Sequence, residues 1–272
     1  MNQYRPHAGI PPAVKAIVVI NIAMFALTYL FDRYTGKELA DYLGLHLPSS
    51  EQWRPWQYVT HIFMHGNVPH IFFNMFAVFM FGRVLEAIWG TKRFLFYYFA
   101  TGLGAALIQS AVGMVQYHFL MEQFTVIQQT PEPGLVAEFV RENVAYPQEW
   151  VWNFIDSWTN NPESPEYIAR GRQMAGQVVE AFVNTSTIGA SGAVFGILLA
   201  FGMLFPNTEL FLMFIPIPIK AKYFVIGYGL VELFLGVQNS VTDNVAHFAH
   251  LGGMLFGYLL IRLWGKNRRR FY

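Results

Sequence analysis

The 272-residue sequence contains no cysteine, which excludes disulfide bridges, thiolate nucleophiles and cysteine metal sites. It is also poor in charge: 13% of its residues are charged, whereas soluble domains carry about 25%. The formal net charge is only +1, so no large basic field exists to collect phosphates, and nucleic acid is not expected as a partner. What the chain does have is 54% apolar residues, which favours a protein built into a lipid bilayer.

Apolar runs of membrane-spanning length recur along the chain. A helix that crosses the hydrocarbon core needs about 20 predominantly apolar residues. We place six candidate spans, at 13–31, 70–88, 94–114, 189–205, 223–238 and 245–264. The first run is too long for the core of a signal peptide and is not followed by a small-residue cleavage site, so we expect it to be a span. The sequence therefore predicts an all-α polytopic membrane protein with a bundle of six transmembrane helices.

Basic residues lie beside the same set of span ends. In the order of the chain they are Arg5, Lys15, Arg83, Lys92, Arg93, Lys220, Lys222, Lys266, Arg268, Arg269 and Arg270. With six spans all of them fall on one side, and the positive-inside rule makes that side cytoplasmic. Both termini are then expected in the cytoplasm.

Two longer connections lie on the opposite side. Residues 32–69 are rich in tryptophan, tyrosine and histidine, and residues 115–188 are acidic and interrupted by prolines. Helical periodicity within the second connection covers 135–143 and 166–183. We therefore divide the chain into 1–114 (helices 1–3 and the first outer loop), 115–188 (an extracytoplasmic, largely helical insertion) and 189–272 (helices 4–6 and a basic tail).

Polar side chains inside a span are costly unless they are satisfied, which makes them candidates for function. His70 and Asn74 are four residues apart, so they share a helix face, and both can donate hydrogen bonds. Pro69 precedes them, where the start of a helix tolerates a missing N–H. The alternative for this pair is a hydrogen-bonded contact between helices.

A Gly-x-Ser-Gly pattern opens the fourth span, with Gly189, Ser191 and Gly192. Glycines leave space around the serine hydroxyl, and a helix start offers unpaired N–H groups to a developing oxyanion. The alternative is a packing face of small residues.

The sixth span begins with His247 and His250, followed by Gly253 and Gly257. A hydrogen bond from histidine to serine needs heavy atoms about 2.6–3.2 Å apart, and glycines allow two helices to approach that closely. A metal pair is the alternative, although zinc would need a third ligand and helical histidine pairs are usually four residues apart. We expect no metal and no cofactor.

These groups fall at one end of the predicted bundle, and together they resemble the rhomboid family of intramembrane serine proteases. The resemblance covers all of the chain except the insertion and is carried by WQYVTHIFMHGNVPHIFFN (56–74), FGRVLEAIWG (81–90), GASG (189–192), PIKAKY (218–223) and AHLGG (249–253) with Gly257.

The resemblance implies a role for each site residue. It identifies Ser191 as the nucleophile and selects His250, rather than His247, as the general base. His70 and Asn74 correspond to the side chains that stabilise the oxyanion, together with the backbone N–H of Ser191. Gly189 corresponds to the glycine that opens the site.

Further residues match positions around the site. His61 and His65 match loop histidines that we take as structural or water-organising, Glu86 matches a structural carboxylate, and Phe195 matches an aromatic ring that packs on the catalytic imidazole. Gln57 departs from the family, since an arginine often stands there. The insertion is a second departure, because compact members have a short connection.

The expected function is that of a serine endopeptidase that cleaves transmembrane-helix substrates near the outer membrane face. Asp243 is seven residues from His250, about 10 Å along a helix axis, so we expect a Ser–His dyad without a carboxylate. The alternatives are an inactive relative that binds membrane clients and a proton-coupled transporter, for which Glu232 is the acidic residue deep in a span. The expected partners are membrane lipid and transmembrane proteins, and the expected location is the bacterial inner membrane.

Overall fold

A computed structural model describes residues 9–212, 215–238 and 245–266. The helices of the bundle are α1 (Pro12–Thr35), α4 (Val68–Ala77), α5 (Arg83–Trp89), α6 (Thr91–Gln129), α10 (Ser191–Leu204), α11 (Ala221–Gln238) and α12 (His247–Lys266). Short helices α2 (Leu39–Leu43) and α3 (Gln57–Thr60) and a 3₁₀ turn (His61–Phe63) lie between α1 and α4. A helix occupies each of the six places where a span was predicted.

A π-helical turn (Val78–Gly82) joins α4 and α5 into one continuous rod from Val68 to Trp89. The rod begins as its sequence predicts, because Pro69 lies in its first turn and the side chain of Asn67 accepts a hydrogen bond from the backbone N–H of His70 at 2.8 Å. Among the described residues, three helices are long and apolar enough to cross a membrane: Pro12–Thr35, Val68–Trp89 and Thr91–Gln129. α10 is apolar but shorter.

The predicted third span and the predicted insertion share one helix. α6 has 39 residues, about 58 Å at 1.5 Å per residue, which is nearly twice the thickness of a hydrocarbon core of about 30 Å. It therefore does not end near residue 114 as predicted. No proline interrupts the chain between Pro69 and Pro131, and the helix ends just before the latter.

The rest of the predicted insertion forms three helices: α7 (Pro133–Asn143), α8 (Glu149–Asn160) and α9 (Pro165–Asn184). The first and third match the predicted helices, and α8 was not predicted. These helices pack with the end of α6 around their own apolar core, in which Trp158 is fully buried. Gly171 lies against the Trp158 ring, where a larger residue would not fit.

A two-stranded antiparallel hairpin follows α10. It consists of β1 (Glu209–Leu212) and β2 (Ile215–Lys220), and it is the only sheet in the described part of the chain. The hairpin does not alter the fold class, because helices make up the rest of the architecture. The all-α prediction is confirmed.

α6, α10 and α12 form the centre of the bundle and pack closely through small residues. Gly192 of α10 lies against Ala105 of α6, and Gly252 of α12 lies against Ala105 and Ile108. The hydroxyl of Tyr97 donates a hydrogen bond to the backbone oxygen of Gly196 at 2.8 Å. Small residues thus allow three apolar helices to approach at backbone distance, as packing in lipid favours.

Glu86, on α5, links three helices by its buried carboxylate. Oε1 accepts hydrogen bonds from the backbone N–H of Ala13 and the hydroxyl of Thr91, and Oε2 accepts one from the backbone N–H of Val14. The carboxylate therefore caps the first turn of α1, where the helix dipole favours negative charge. The structural role expected for Glu86 agrees with these contacts.

We predict that Glu86→Gln destabilises the protein by about 1–3 kcal/mol, because a glutamine has a single acceptor oxygen and leaves one buried N–H unpaired. Thermal unfolding in detergent should show a lower midpoint than that of the wild type. Glu138→Gln, on the separate insertion helix α7, is the control for loss of a carboxylate. Equal midpoints for Glu86→Gln and the wild type would contradict the capping role.

Candidate active site

Ser191 is the first residue of α10, and the turn before it depends on Gly189. The φ angle of Gly189 is +128°, a backbone conformation that other residues rarely adopt. A Cβ atom at this position would lie 2.7 Å from Nε2 of His70. Both the backbone and the space therefore require glycine. The backbone N–H of Gly189 donates to the carbonyl oxygen of His61 at 2.9 Å, which ties the turn to the first loop.

The side chains of Ser191 and His250 are in direct contact. Nε2 of His250 lies 2.8 Å from Oγ of Ser191, although the two residues are 59 positions apart. The contact is possible because α12 passes α10 without an intervening side chain: a Cβ atom on Gly253 would collide with the backbone oxygen of Gly192. The structure thus brings together the predicted nucleophile and the predicted base.

Phe195 covers one face of the His250 ring. The two ring centroids are 4.1 Å apart and the ring planes are 8° from parallel, so the rings are stacked. Phe195 in turn contacts Tyr228 of α11 edge-on, with centroids 4.8 Å apart. This is the packing that the family resemblance led us to expect of Phe195, while Tyr228 was not predicted.

Glu232 contacts the opposite side of the imidazole from Ser191. Its Oε2 lies 2.8 Å from Nδ1 of His250 and 2.6 Å from Nδ1 of His247, and all three side chains are buried. The expectation of a dyad without a carboxylate does not include this contact, because Glu232 lies on a different helix, α11, whose sequence does not show which face turns toward His250. Asp243, which is seven residues before His250 in the sequence, lies outside the described residues.

Glu232, His247 and His250 are also the one group of side chains in the described ranges that could hold a metal ion, since their ligand atoms lie within 4.8 Å of one another. Ligands of tetrahedral zinc lie about 2.0–2.1 Å from the metal and therefore about 3.3 Å from one another. The N–O distances of 2.6 and 2.8 Å are shorter than this and have the length of hydrogen bonds.

His70 and Asn74 lie on α4 beside the turn of Ser191. The His70 ring approaches Gly189 and contacts the ring of His65 edge-on, with centroids 5.0 Å apart. The amide of Asn74 is buried and donates to the backbone oxygen of His70 at 2.9 Å. His70 is therefore next to the nucleophile, whereas Asn74 has one donor engaged by its own helix. Their roles at an oxyanion stay a prediction.

The first loop is held against the chain that precedes Ser191. Leu45 and Thr187 exchange two backbone hydrogen bonds, of 2.9 and 2.8 Å, in an isolated antiparallel bridge. Nδ1 of His61 lies 2.8 Å from the carbonyl oxygen of Gln57, to which it donates. These contacts hold the segment around His61, whose carbonyl oxygen accepts the hydrogen bond from the backbone N–H of Gly189.

Gln57, which stands where the family often has arginine, is fully buried in this loop. Its Oε1 accepts from the backbone N–H groups of His46 and Arg54, and its Nε2 donates to the backbone oxygen of Gln52. In this protein Gln57 therefore holds the interior of the loop together by hydrogen bonds, whereas the neighbouring Trp56 is exposed.

Burial lowers the pKa of His61 to about 4, against small opposing contributions from hydrogen bonds to the backbone. Burial likewise lowers the pKa of His65 to about 4, with a smaller contribution from the nearby His70. Both side chains are less than 6% exposed, at 5% and 2%. They are neutral at pH 7 and belong to the structural frame of the loop.

Comparison with known proteins places the chain in a family. The family model described as the Rhomboid domain matches residues 52–125 and 168–267, which is more than half of the chain. The unmatched residues between these ranges include α7 and α8. The chain belongs to the rhomboid family and is an all-α, multi-pass membrane protein of that type.

Individual relatives come from several kinds of organism. The chain is 29% identical over 226 residues to a mitochondrial rhomboid protein of Schizosaccharomyces pombe named as uncharacterised, covering 80% of this chain and 53% of that protein. It is 24% identical to the rhomboid protease AarA of Providencia stuartii, covering 90% of this chain and 69% of that protein. It is 29% identical to the rhomboid protease GlpG of Haemophilus influenzae over 35% of this chain and 50% of that protein. The chain spans about half the length of the fission-yeast protein.

We predict that Gly253→Ala separates α10 from α12 and displaces His250 from Ser191. The expected overpacking costs about 1–3 kcal/mol, and a displacement of 1 Å can lower the reaction rate of a positioned group about 10²-fold. The measurements are the unfolding midpoint in detergent and the rate of Ser191 modification by a fluorophosphonate.

Gly227→Ala is the matched control, because the site of its Cβ atom on α11 is open. A helical glycine replaced by alanine in open space gains about 0.5–1 kcal/mol. If both variants react like the wild type, the close contact at Gly253 is not needed for the Ser191–His250 geometry.

We predict that the protein loses stability as the pH falls from 7 to 5. His61 and His65 have pKa values of about 4 in the folded protein, below the ordinary 6.5, so the unfolded chain binds more protons in this range and gains stability relative to the folded state. Each histidine accounts for about 2 kcal/mol at pH 5. Unfolding midpoints at the two pH values measure the effect.

His61→Gln should reduce this pH dependence, because it removes one of the two groups. His118→Gln should leave the dependence unchanged, since the His118 side chain is 70% exposed. An identical drop in the midpoint for wild type and His61→Gln would contradict the assignment.

Proposed function

We propose that the protein is an intramembrane serine endopeptidase. The observation that supports this most directly is the 2.8 Å separation between Oγ of Ser191 and Nε2 of His250 near the start of two helices. A serine hydroxyl and an imidazole at this distance form the pair that nucleophilic catalysis needs. Membership of a family in which several relatives are named as proteases adds to the case.

In the proposed reaction, Oγ of Ser191 attacks a substrate peptide carbonyl and Nε2 of His250 takes the hydroxyl proton. The resulting tetrahedral oxyanion collapses, the proton passes from His250 to the leaving amine, and an acyl-enzyme remains. Water then attacks the ester, again with His250 as base, and releases the carboxylic acid and free Ser191.

The oxyanion is stabilised by donors around the start of α10. The backbone N–H of Ser191 has no partner within its own helix, because it belongs to the first turn. His70, beside Gly189, supplies a side-chain donor, and Asn74 supplies the second donor of its amide. Donors of this kind contribute about 3–4 kcal/mol each to the stability of the transition state.

The substrates are transmembrane helices cleaved near the outer membrane face, where a locally unwound segment exposes its peptide carbonyls to Ser191. Basic residues at the opposite ends of the helices support a cytoplasmic position for both termini, and the proposed location is the bacterial inner membrane. Residues 115–188 then lie outside the membrane as a largely helical insertion, between core parts at 1–114 and 189–272.

We predict that a fluorophosphonate labels the wild-type protein in detergent and that Ser191→Ala abolishes the labelling. His250→Ala should slow the labelling about 10³-fold or more, because the hydroxyl then lacks its base. Cleavage of a single-span reporter protein in vesicles should be lost in both variants.

Ser110→Ala is the control, since Ser110 is a buried serine of α6 whose hydroxyl bonds to Tyr58, away from Ser191. It should be labelled like the wild type. Reporter cleavage that survives Ser191→Ala would refute the proposal, and a wild type that is not labelled would favour a client-binding protein or a transporter.

A further inference from the structure

The carboxylate of Glu232 is a buried acidic group in the middle of an apolar helix. It is 4% exposed, and α11 is apolar around its whole circumference. A carboxylate in such surroundings is strongly unfavourable unless charge-assisted hydrogen bonds satisfy it. Both described partners of Oε2 are imidazole nitrogens on α12, of His247 and His250.

The contact with His250 determines which nitrogen of the ring carries the proton. An ionised carboxylate only accepts hydrogen bonds, so Nδ1 of His250 must be the donor. In the neutral imidazole, Nε2 is then the acceptor, and it is this atom that lies 2.8 Å from the hydroxyl of Ser191. The carboxylate therefore keeps the ring in the form that can take a proton from serine.

Glu232 also fixes a rotation that stacking leaves free. Phe195 lies parallel to the His250 ring, so it restrains the tilt of the ring but not rotation within the ring plane. A hydrogen bond at Nδ1 opposes that rotation, because turning the ring would break it. Phe195 and Glu232 thus restrain different motions of the same side chain.

We propose that Glu232 is a positioning residue that completes a Ser191–His250–Glu232 triad, with His247 holding the carboxylate in place. This inference rests on the proposed protease function and deepens it. When His250 takes the serine proton it becomes positively charged, and the carboxylate 2.8 Å away stabilises that charge. The carboxylate thereby favours the state in which His250 is protonated, as well as the neutral tautomer that can accept the serine proton.

Few other titratable groups face this cluster in the ranges that the structure describes. Tyr228 lies on α11 near Glu232, His70 lies on α4 near His250, and His247 shares the carboxylate. None of these three side chains is of an acidic type at neutral pH, so among the described residues Glu232 is the nearby anion available to a protonated His250.

The test compares Glu232→Gln with the wild type in cleavage of a single-span reporter and in fluorophosphonate labelling. Glutamine keeps the size and one acceptor oxygen but removes the negative charge. We expect kcat to fall about 10²–10⁴-fold with KM nearly unchanged, as for loss of charge beside a catalytic imidazole in other serine enzymes. The acidic limb of the pH–rate profile should move to lower pH, because protonated His250 loses its counter-charge.

Glu86→Gln is the matched control, since it neutralises a second buried glutamate that contacts no residue of the site. It should lower the unfolding midpoint while leaving kcat per folded molecule and the acidic limb unchanged. His247→Gln should lower kcat less than Glu232→Gln does, because it removes only one partner of the carboxylate.

Several outcomes would overturn the inference. If Glu232→Gln behaves like Glu86→Gln, with lower stability but wild-type kcat and pH profile, Glu232 is structural only. If a chelator changes the wild-type rate, zinc reverses that change, and Glu232→Gln loses the response, the cluster is a metal site instead. The comparison of the wild type with Ser191→Ala tests the protease function separately. If the wild type shows no Ser191-dependent labelling or cleavage, the protease function is refuted, and the triad is refuted as well.

Discussion

The close contact between α10 and α12 is the constraint on which the rest of the site depends. A side chain on Gly253 would occupy the position of the Gly192 backbone oxygen, so the helices meet at main-chain distance. The reach of a serine and a histidine side chain then suffices to join Ser191 and His250. In a membrane, where burial of apolar surface does not drive helices together, such contacts gain their stability from dispersion and shape.

Much of this arrangement is readable from the sequence because each part carries a local signal. Apolar runs locate the helices of the bundle, and the glycines near Ser191 and His250 indicate which helices meet. Residues alone do not separate His247 from His250, since both lie at one helix end. The family resemblance makes that choice, and the structure places His250 on the serine and both histidines on Glu232.

Other parts could not be predicted, for identifiable physical reasons. α11 is apolar on all sides, so its sequence contains no periodic signal to show which face turns toward α12 and thus that Glu232 meets His250. α6 passes from apolar to polar composition without a helix breaker, so its hydropathy marks an end near residue 114 that the backbone does not have. The buried Gln57 stabilises the first loop through hydrogen bonds to the backbone of other loop residues. The composition of the loop does not distinguish this glutamine from an exposed polar residue.

The unbroken length of α6 gives the molecule a mechanical property. The same helix packs through Ala105 in the bundle that holds Ser191 and His250, and it supports the insertion core through Leu120 and Ile127. No loop interrupts its 39 residues, so a 10° tilt of the whole helix about its middle would move the end of a 20-residue half by about 5 Å. A tilt of α6 would therefore involve the insertion core together with the part of the helix that contacts Gly192 and Gly252.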